Sequence, residues 1–158
     1  MLKPPAPDRA WIARHVPQQG GMCLLDGVEA WNEQQIRCRA GTHRAPENPL
    51  RAFGRLGAAC GIEYAAQAVA VHGALLERTG NTAARVGYLV SVRDTQLQVP
   101  RLDDIDADLE VCAICMVRGG NTLIYGFSVT AAGILLLQGR ATIVIEADLI
   151  SPASGEVP

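Results

Sequence analysis

Residues Leu56–Arg78 read LGAACGIEYAAQAVAVHGALLER. Ile62, Ala65, Ala66, Val69, Gly73 and Leu76 recur at three- and four-residue spacing, which is the period of an α-helix. The positions between them are mostly Ala and Val, so little solvent face remains, and a helix that is apolar all round is expected to be buried. One carboxylate, Glu63, sits in the first turns, with Gln67 one turn later on the same face. Burying a lone carboxylate is costly. Glu63 is therefore expected either to be paired or to be kept for chemistry.

On the N-terminal side, Asp8 is placed to cap a short helix through Trp11, Ile12 and Ala13 that ends before Pro17. Met22–Trp31 (MCLLDGVEAW) reads as a strand with a bulge at Gly27. QQIRCRAG alternates Ile36, Cys38 and Ala40 against Gln35, Arg37 and Arg39, so it reads as a half-exposed hairpin partner. Thr42–Phe53 carries two prolines and no period, and a loop of that length is a place to look for function. On the C-terminal side, Gly80 suits the left-handed cap of the helix. Arg85–Val99 is one long strand or two short ones. Ala107–Val117 and Thr122–Ala131 form a hairpin across Arg118–Asn121, and Ile134–Ile145 is the last strand.

The order is two strands, one buried helix, then three or four strands. Such a helix needs apolar surface on every side, and a strongly curved antiparallel sheet wrapped around it supplies that surface. The expected class is α+β with the hot-dog architecture, sheet around a central helix. An open α+β sandwich with the helix on one face is the alternative.

The chain has 158 residues, 49% hydrophobic and 19% charged, which fits one globular domain over 1–158, with loose termini at 1–7 and 151–158. A net charge of −2 with no basic block argues against nucleic acid as a partner. No run of about 20 apolar residues is free of charge, and the N-terminus lacks the apolar stretch of a secretory signal, so a cytoplasmic protein without a membrane span is expected. The five cysteines lie among apolar neighbours. Cys112 and Cys115 have CxxC spacing, but residues three apart on a strand point to opposite faces, so no metal site is expected there.

Two segments carry a family resemblance. Pro17–Val28 (PQQGGMCLLDGV) resembles the start of the β-hydroxyacyl-acyl-carrier-protein dehydratases, where Pro-His-Arg precedes a leucine-rich strand. Thr42–Gly73 resembles their catalytic region, a His opening a loop followed by a helix with Glu and then Ala-Gln. The whole, from about Trp11 to Ile145, is most similar to the ApeP-like branch associated with aryl-polyene synthesis. Gln18 departs from the pattern, standing where the family often has His, so no role carries over to it. The loop from His43 to Glu63 is also longer and lacks His-Phe-Pro-Gly.

The resemblance implies dehydration of a 3-hydroxyacyl thioester to the trans-2-enoyl thioester, with the substrate carried on the phosphopantetheine of an acyl carrier protein and no other cofactor. Such a reaction needs a base for the C2 proton, an acid for the leaving hydroxyl and donors for the thioester oxygen. His43 is the expected base. Glu63 is the expected acid or water-positioning group, burial in an apolar helix being expected to raise a carboxyl pKa. Backbone N–H groups around Gly57 to Gly61 are the expected donors, because a helix N-terminus favours negative charge. Gln67 would orient Glu63, and Arg55 with Arg51 would meet the phosphate or the acidic carrier.

Plainer readings stand beside these. His43 can be a surface histidine, Glu63 can be paired with Arg55 or Arg85, and the loop arginines can be solvated charges. His72 reads as a core or interface histidine, and His15 as a helix C-cap. Open sheet edges call for pairing, so a dimer is expected. In the dehydratases the chain resembles, each site combines His of one protomer with Glu of the other. A homodimer, or a heteromer with a related dehydratase, follows. Competing functions are a hot-dog thioesterase and a non-catalytic acyl-binding subunit paired with an active homologue.

Overall fold

The computed structural model of the chain describes residues 6–18, 20–78 and 87–145. Six antiparallel strands form one sheet in the order β1-β2-β4-β5-β6-β3. They are β1 (Gly27–Trp31), β2 (Gln35–Ala40), β3 (Gly87–Leu97), β4 (Leu109–Gly119), β5 (Thr122–Ala131) and β6 (Ile134–Ile145). Helix α1 (Arg9–His15) precedes them, and α2 (Gly61–Arg78) stands between β2 and β3. This is the hot-dog fold, and the open sandwich is not what forms.

The 18-residue helix α2 buries Tyr64, Ala65, Ala68, Val69, Val71, Leu75 and Leu76. The sheet faces these with Ile36 and Cys38 of β2, Val111 and Ala113 of β4, Tyr125, Phe127 and Val129 of β5, and Leu137 of β6. Burial alternates cleanly along β2 and β5, as a sheet with one buried face requires. Leu56 does not begin the helix. Its amide is taken by the Asp103 carboxylate, and a 3-10 turn over Ala58–Cys60 leads into α2. Gly61 is where α2 meets β6, since a Cβ there would lie 2.6 Å from Leu137 Cδ2.

Helix α2 is not sealed all round in this chain. Ile62, Glu63, Ala66, Ala70, Gly73 and Glu77 form a half-exposed stripe at helical spacing. Small side chains on that stripe would let another surface approach closely.

Several expected boundaries shift. The strand drawn from Met22 to Trp31 pairs as a strand only over Gly27–Trp31, and the bulge lies between Val28 and Ala30. Upstream, the backbone is satisfied by side chains. Gln67 accepts from Leu24 N–H and donates to the Met22 carbonyl. Arg9 donates to the carbonyls of Cys23 and Leu25, and Thr42 donates to that of Leu24. β3 is one strand with two register shifts, and the β4–β5 turn tightens to Gly120 and Asn121. The α2 cap expected at Gly80, and Arg85, lie outside the described residues.

The two sheet edges differ. β1 is covered, because Asp8 bridges Gly27 and the Val28 amide donates to the Pro7 carbonyl. Asp8 also caps α1 by accepting from the Trp11 amide. β3 pairs with β6 on one side only, and it exposes Tyr88, Leu89, Val90 and Leu97.

Candidate active site

Pro17 cannot extend α1, and the chain turns there to bring Gln18 against the first turn of α2. Gln18 Nε2 donates to Glu63 Oε2 at 2.9 Å. Gln67, one helical turn past Glu63, donates from its own Nε2 to the same oxygen at 3.2 Å. Gln67 is fully buried and locked by its two backbone bonds to Met22 and Leu24, so its amide is a fixed donor. Two amides thus hold Oε2 as an acceptor. Oε1 is the oxygen left to carry or receive a proton. The carboxyl lies on the half-exposed stripe rather than in the core, so the expected deep apolar burial does not hold. What surrounds Glu63 is a polar clamp.

His43 sits on a single 3-10 turn, Thr42–Arg44, and is fully buried rather than on the surface. Its Nε2 lies 3.1 Å from the Ile105 carbonyl, which takes the ring N–H and leaves the lone pair on Nδ1. Nδ1 is buried and unpartnered. Burial pushes the imidazole pKa down. The carbonyl of Ile105 opposes this, Arg44 adds to it, and the Ala107 carbonyl and Asp108 oppose it. The ring is therefore a neutral imidazole near pH 7.

No hydrogen bond among the described residues joins His43 to Glu63. Their sequence neighbours meet instead. Tyr64 OH lies 2.8 Å from Thr42 Oγ1. Thr42 spends its own proton on the Leu24 carbonyl, so Tyr64 is the donor of that pair. Asn48 Nδ2 donates to Tyr64 OH and to the Thr42 carbonyl, closing the loop onto the helix.

The glycines divide. The Gly61 amide is bonded to the carbonyls of Ala58 and Ala59, and its α-carbon packs on Leu137. The amides of Ala58 and Cys60 go to the carbonyls of Pro100 and Gly57. Gly57 and Ala59 contribute no amide to these backbone bonds. Nothing lies within 4 Å of where a Gly57 Cβ would be. Arg101 pairs with Asp103 beneath this turn, holding that carboxyl well below the usual carboxylate range. Arg55 is exposed on the tight turn with Phe53 and Gly54. Arg51 is spent on the carbonyls of Ala45, Gly54 and Arg44.

Other sequence candidates fall elsewhere. His72 is buried, with Nδ1 2.7 Å from Tyr125 OH and Nε2 2.8 Å from the Asn32 carbonyl, so it pins α2 to the β1–β2 turn. His15 stacks on Trp11 and reaches its carbonyl. No cluster of His, Cys, Asp or Glu among the described residues could hold a metal ion. A groove of about 760 Å³ lies on the outer sheet face, lined by Cys112, Ile114, Met116, Ser128 and Arg140. It includes none of the candidate site residues.

Six antiparallel strands around one central helix place the chain in the hot-dog class of folds. Residues 10–151 match the family model "ApeP-like: ApeP dehydratase", and the chain belongs to that family. It is accordingly a lyase of the dehydratase type. Solved structures agree in fold. The dehydratase heterocomplex ApeI:P from Xenorhabdus doucetiae aligns with a TM-score of 0.74 at 20% identity, covering 85% of this chain and 90% of that one. A variant of thioesterase PA1618 from Pseudomonas aeruginosa aligns at 0.63 and 15% identity, covering 88% and 94%. Thioesterase HI1161 from Haemophilus influenzae aligns at 0.60 and 13%, covering 80% and 81%. No curated protein sequence matches the chain. No helix among the described residues is long and apolar enough to cross a membrane.

Proposed function

We propose that the substrate is a 3-hydroxyacyl thioester carried on the phosphopantetheine of an acyl carrier protein, in the cytoplasm, and that the product is the trans-2-enoyl thioester. The observation that carries this is the clamp on Glu63. A carboxyl with one oxygen held by two amides presents the other oxygen in a fixed place. In this reading, Glu63 Oε1 gives a proton to the C3 hydroxyl as the C3–O bond breaks, releasing water. His43 Nδ1 takes the C2 proton, and the electron pair left on C2 forms the C2–C3 double bond. Both groups return to their starting states by exchange with solvent. The amides of Gly57 and Ala59 face the thioester oxygen while negative charge builds on it. Arg55 meets the phosphate or the acidic carrier.

His43 Nδ1 is buried within its own chain, so its surroundings must open for substrate to reach it. The bare edge of β3 and the half-exposed stripe of α2 support assembly through these surfaces, with Glu63 on the shared face. The second protomer is another copy of this chain or a related dehydratase. The ApeI:P heterocomplex supports the latter.

A second reading, thioester hydrolysis, is supported by the contrast between the enclosed His43 and the half-exposed Glu63, since a carboxylate alone can activate water. A third, a non-catalytic partner of an active homologue, draws on the same enclosure. The test is to incubate the purified chain, alone and with a related dehydratase, with a 3-hydroxyacyl carrier protein. Dehydration predicts loss of water from the acyl group with the thioester intact. Release of free carrier thiol would instead favour hydrolysis. No turnover alone, with turnover in the mixture that survives Glu63→Gln in this chain, would assign the subunit role.

A further inference from the structure

Two side-chain atoms among the described residues are buried without a hydrogen-bond partner, Gln18 Oε1 and His43 Nδ1. The mechanism above uses the second and leaves the first without a purpose. A buried carbonyl oxygen with no donor is costly, so each such group in a folded protein calls for an explanation. For packing alone, a leucine at position 18 would serve at least as well. What the glutamine adds is its Nε2 contact to Glu63 Oε2 at 2.9 Å, made across 45 residues of sequence.

We infer that Gln18 is a positioning residue for the dehydration reaction, holding Oε2 of Glu63 so that Oε1 faces the departing hydroxyl. This rests on the reading of Glu63 as the acid. Gln67 alone would not fix the carboxyl, because it sits on the same helix and binds Oε2 at the longer distance of 3.2 Å. Gln18 approaches from the turn after α1. The two donors therefore reach one oxygen from separate elements and remove the rotation of the carboxyl group. The turn is itself anchored. Val16 is buried, and the Cys23 amide closes onto the Gly20 carbonyl.

A structural role and a positioning role predict opposite results. Gln18→Leu removes both the donor and the orphaned acceptor. The inference predicts that kcat falls about 10-fold or more, the scale of losing one buried hydrogen bond, while KM stays within about threefold and the melting temperature holds or rises. Gln18→Met keeps the length of the side chain but not the donor, and it should show the same kcat loss if the leucine variant folds poorly. Combined with Glu63→Gln, neither change should slow the residual rate further. Wild-type kcat in both single variants overturns the inference and leaves the role of Glu63 standing. A further multiplicative loss in the Glu63→Gln background also overturns it. Full activity of Glu63→Gln by itself identifies the failure as that of the acid assignment, and the inference falls with it.

Discussion

The phenol of Tyr64 donates to the hydroxyl of Thr42 across 2.8 Å, and each of these residues is the sequence neighbour of a proposed reacting group. Tyr64 follows Glu63, and Thr42 precedes His43. The bond therefore ties the loop that carries the base to the helix that carries the acid. The proton of each donor is committed along a chain from Asn48 to Tyr64 to Thr42 to the Leu24 carbonyl.

Tyr64→Phe deletes the middle of that chain inside the core, where Tyr64 is fully buried. The expected loss is about 1–2 kcal/mol of stability, the net value of a buried hydrogen bond and its orphaned partner. A larger proportional loss of kcat should accompany it, because the two elements are then free to shift. Urea denaturation and turnover measured together check this. An active variant of unchanged midpoint would show that the tie has no role.

Gly61 is a packing residue. Gly61→Ala would drive a Cβ to within 2.6 Å of Leu137 Cδ2, in a core where Leu137 has no exposed surface. The gain in helix propensity is smaller than the cost of overpacking, about 1–3 kcal/mol. A lowered melting temperature is the expected result. A raised one would mean that Leu137 turns aside freely.

Stability should depend on pH through the two buried histidines. Burial lowers the pKa of both His43 and His72 below the ordinary histidine value of 6.5. Below that value the unfolded chain binds protons that the folded chain does not, so stability is fully present above about pH 7 and falls as pH drops through 6.5. The urea midpoint should therefore be lower at pH 5.5 than at pH 7.5. An equal or higher midpoint at pH 5.5 would contradict the buried neutral state of both rings.

If the sites are composite, two inactive variants should rescue each other. A mixture of His43→Ala and Glu63→Gln chains, unfolded and refolded together, forms hybrids in which one site is intact. Random pairing predicts recovery of about a quarter of wild-type activity in a two-fold homodimer. No recovery, with hybrids shown to form, would place both groups of each site in one chain.

The architecture was legible because it rests on local patterns. The period of Ile62 to Leu76, the alternation of Ile36, Cys38 and Ala40, and the paired runs on either side of Arg118–Asn121 each indicate an element without knowledge of its neighbours. The site was only half legible. Glu63 and Gln67 share a helical face, so their meeting follows from spacing alone. Gln18 lies 45 residues from Glu63 and meets it only after α1 has packed and Pro17 has turned the chain, which no local pattern encodes. The overlong strand at Met22 has a similar origin. An apolar run resembles a strand whether its backbone is bonded by a neighbouring strand or, as here, by Gln67, Arg9 and Thr42.

The most direct measurement is the rate at which Glu63→Gln dehydrates a 3-hydroxyacyl thioester on its carrier, compared with wild type in the same assembly. The substitution keeps the side chain's size but removes the carboxylic acid. The account predicts a fall of about 10²-fold or more, on the scale of losing a general acid, with an unchanged melting temperature. A variant that dehydrates at the wild-type rate would contradict it, and would leave Glu63 as a structural acceptor for Gln18 and Gln67.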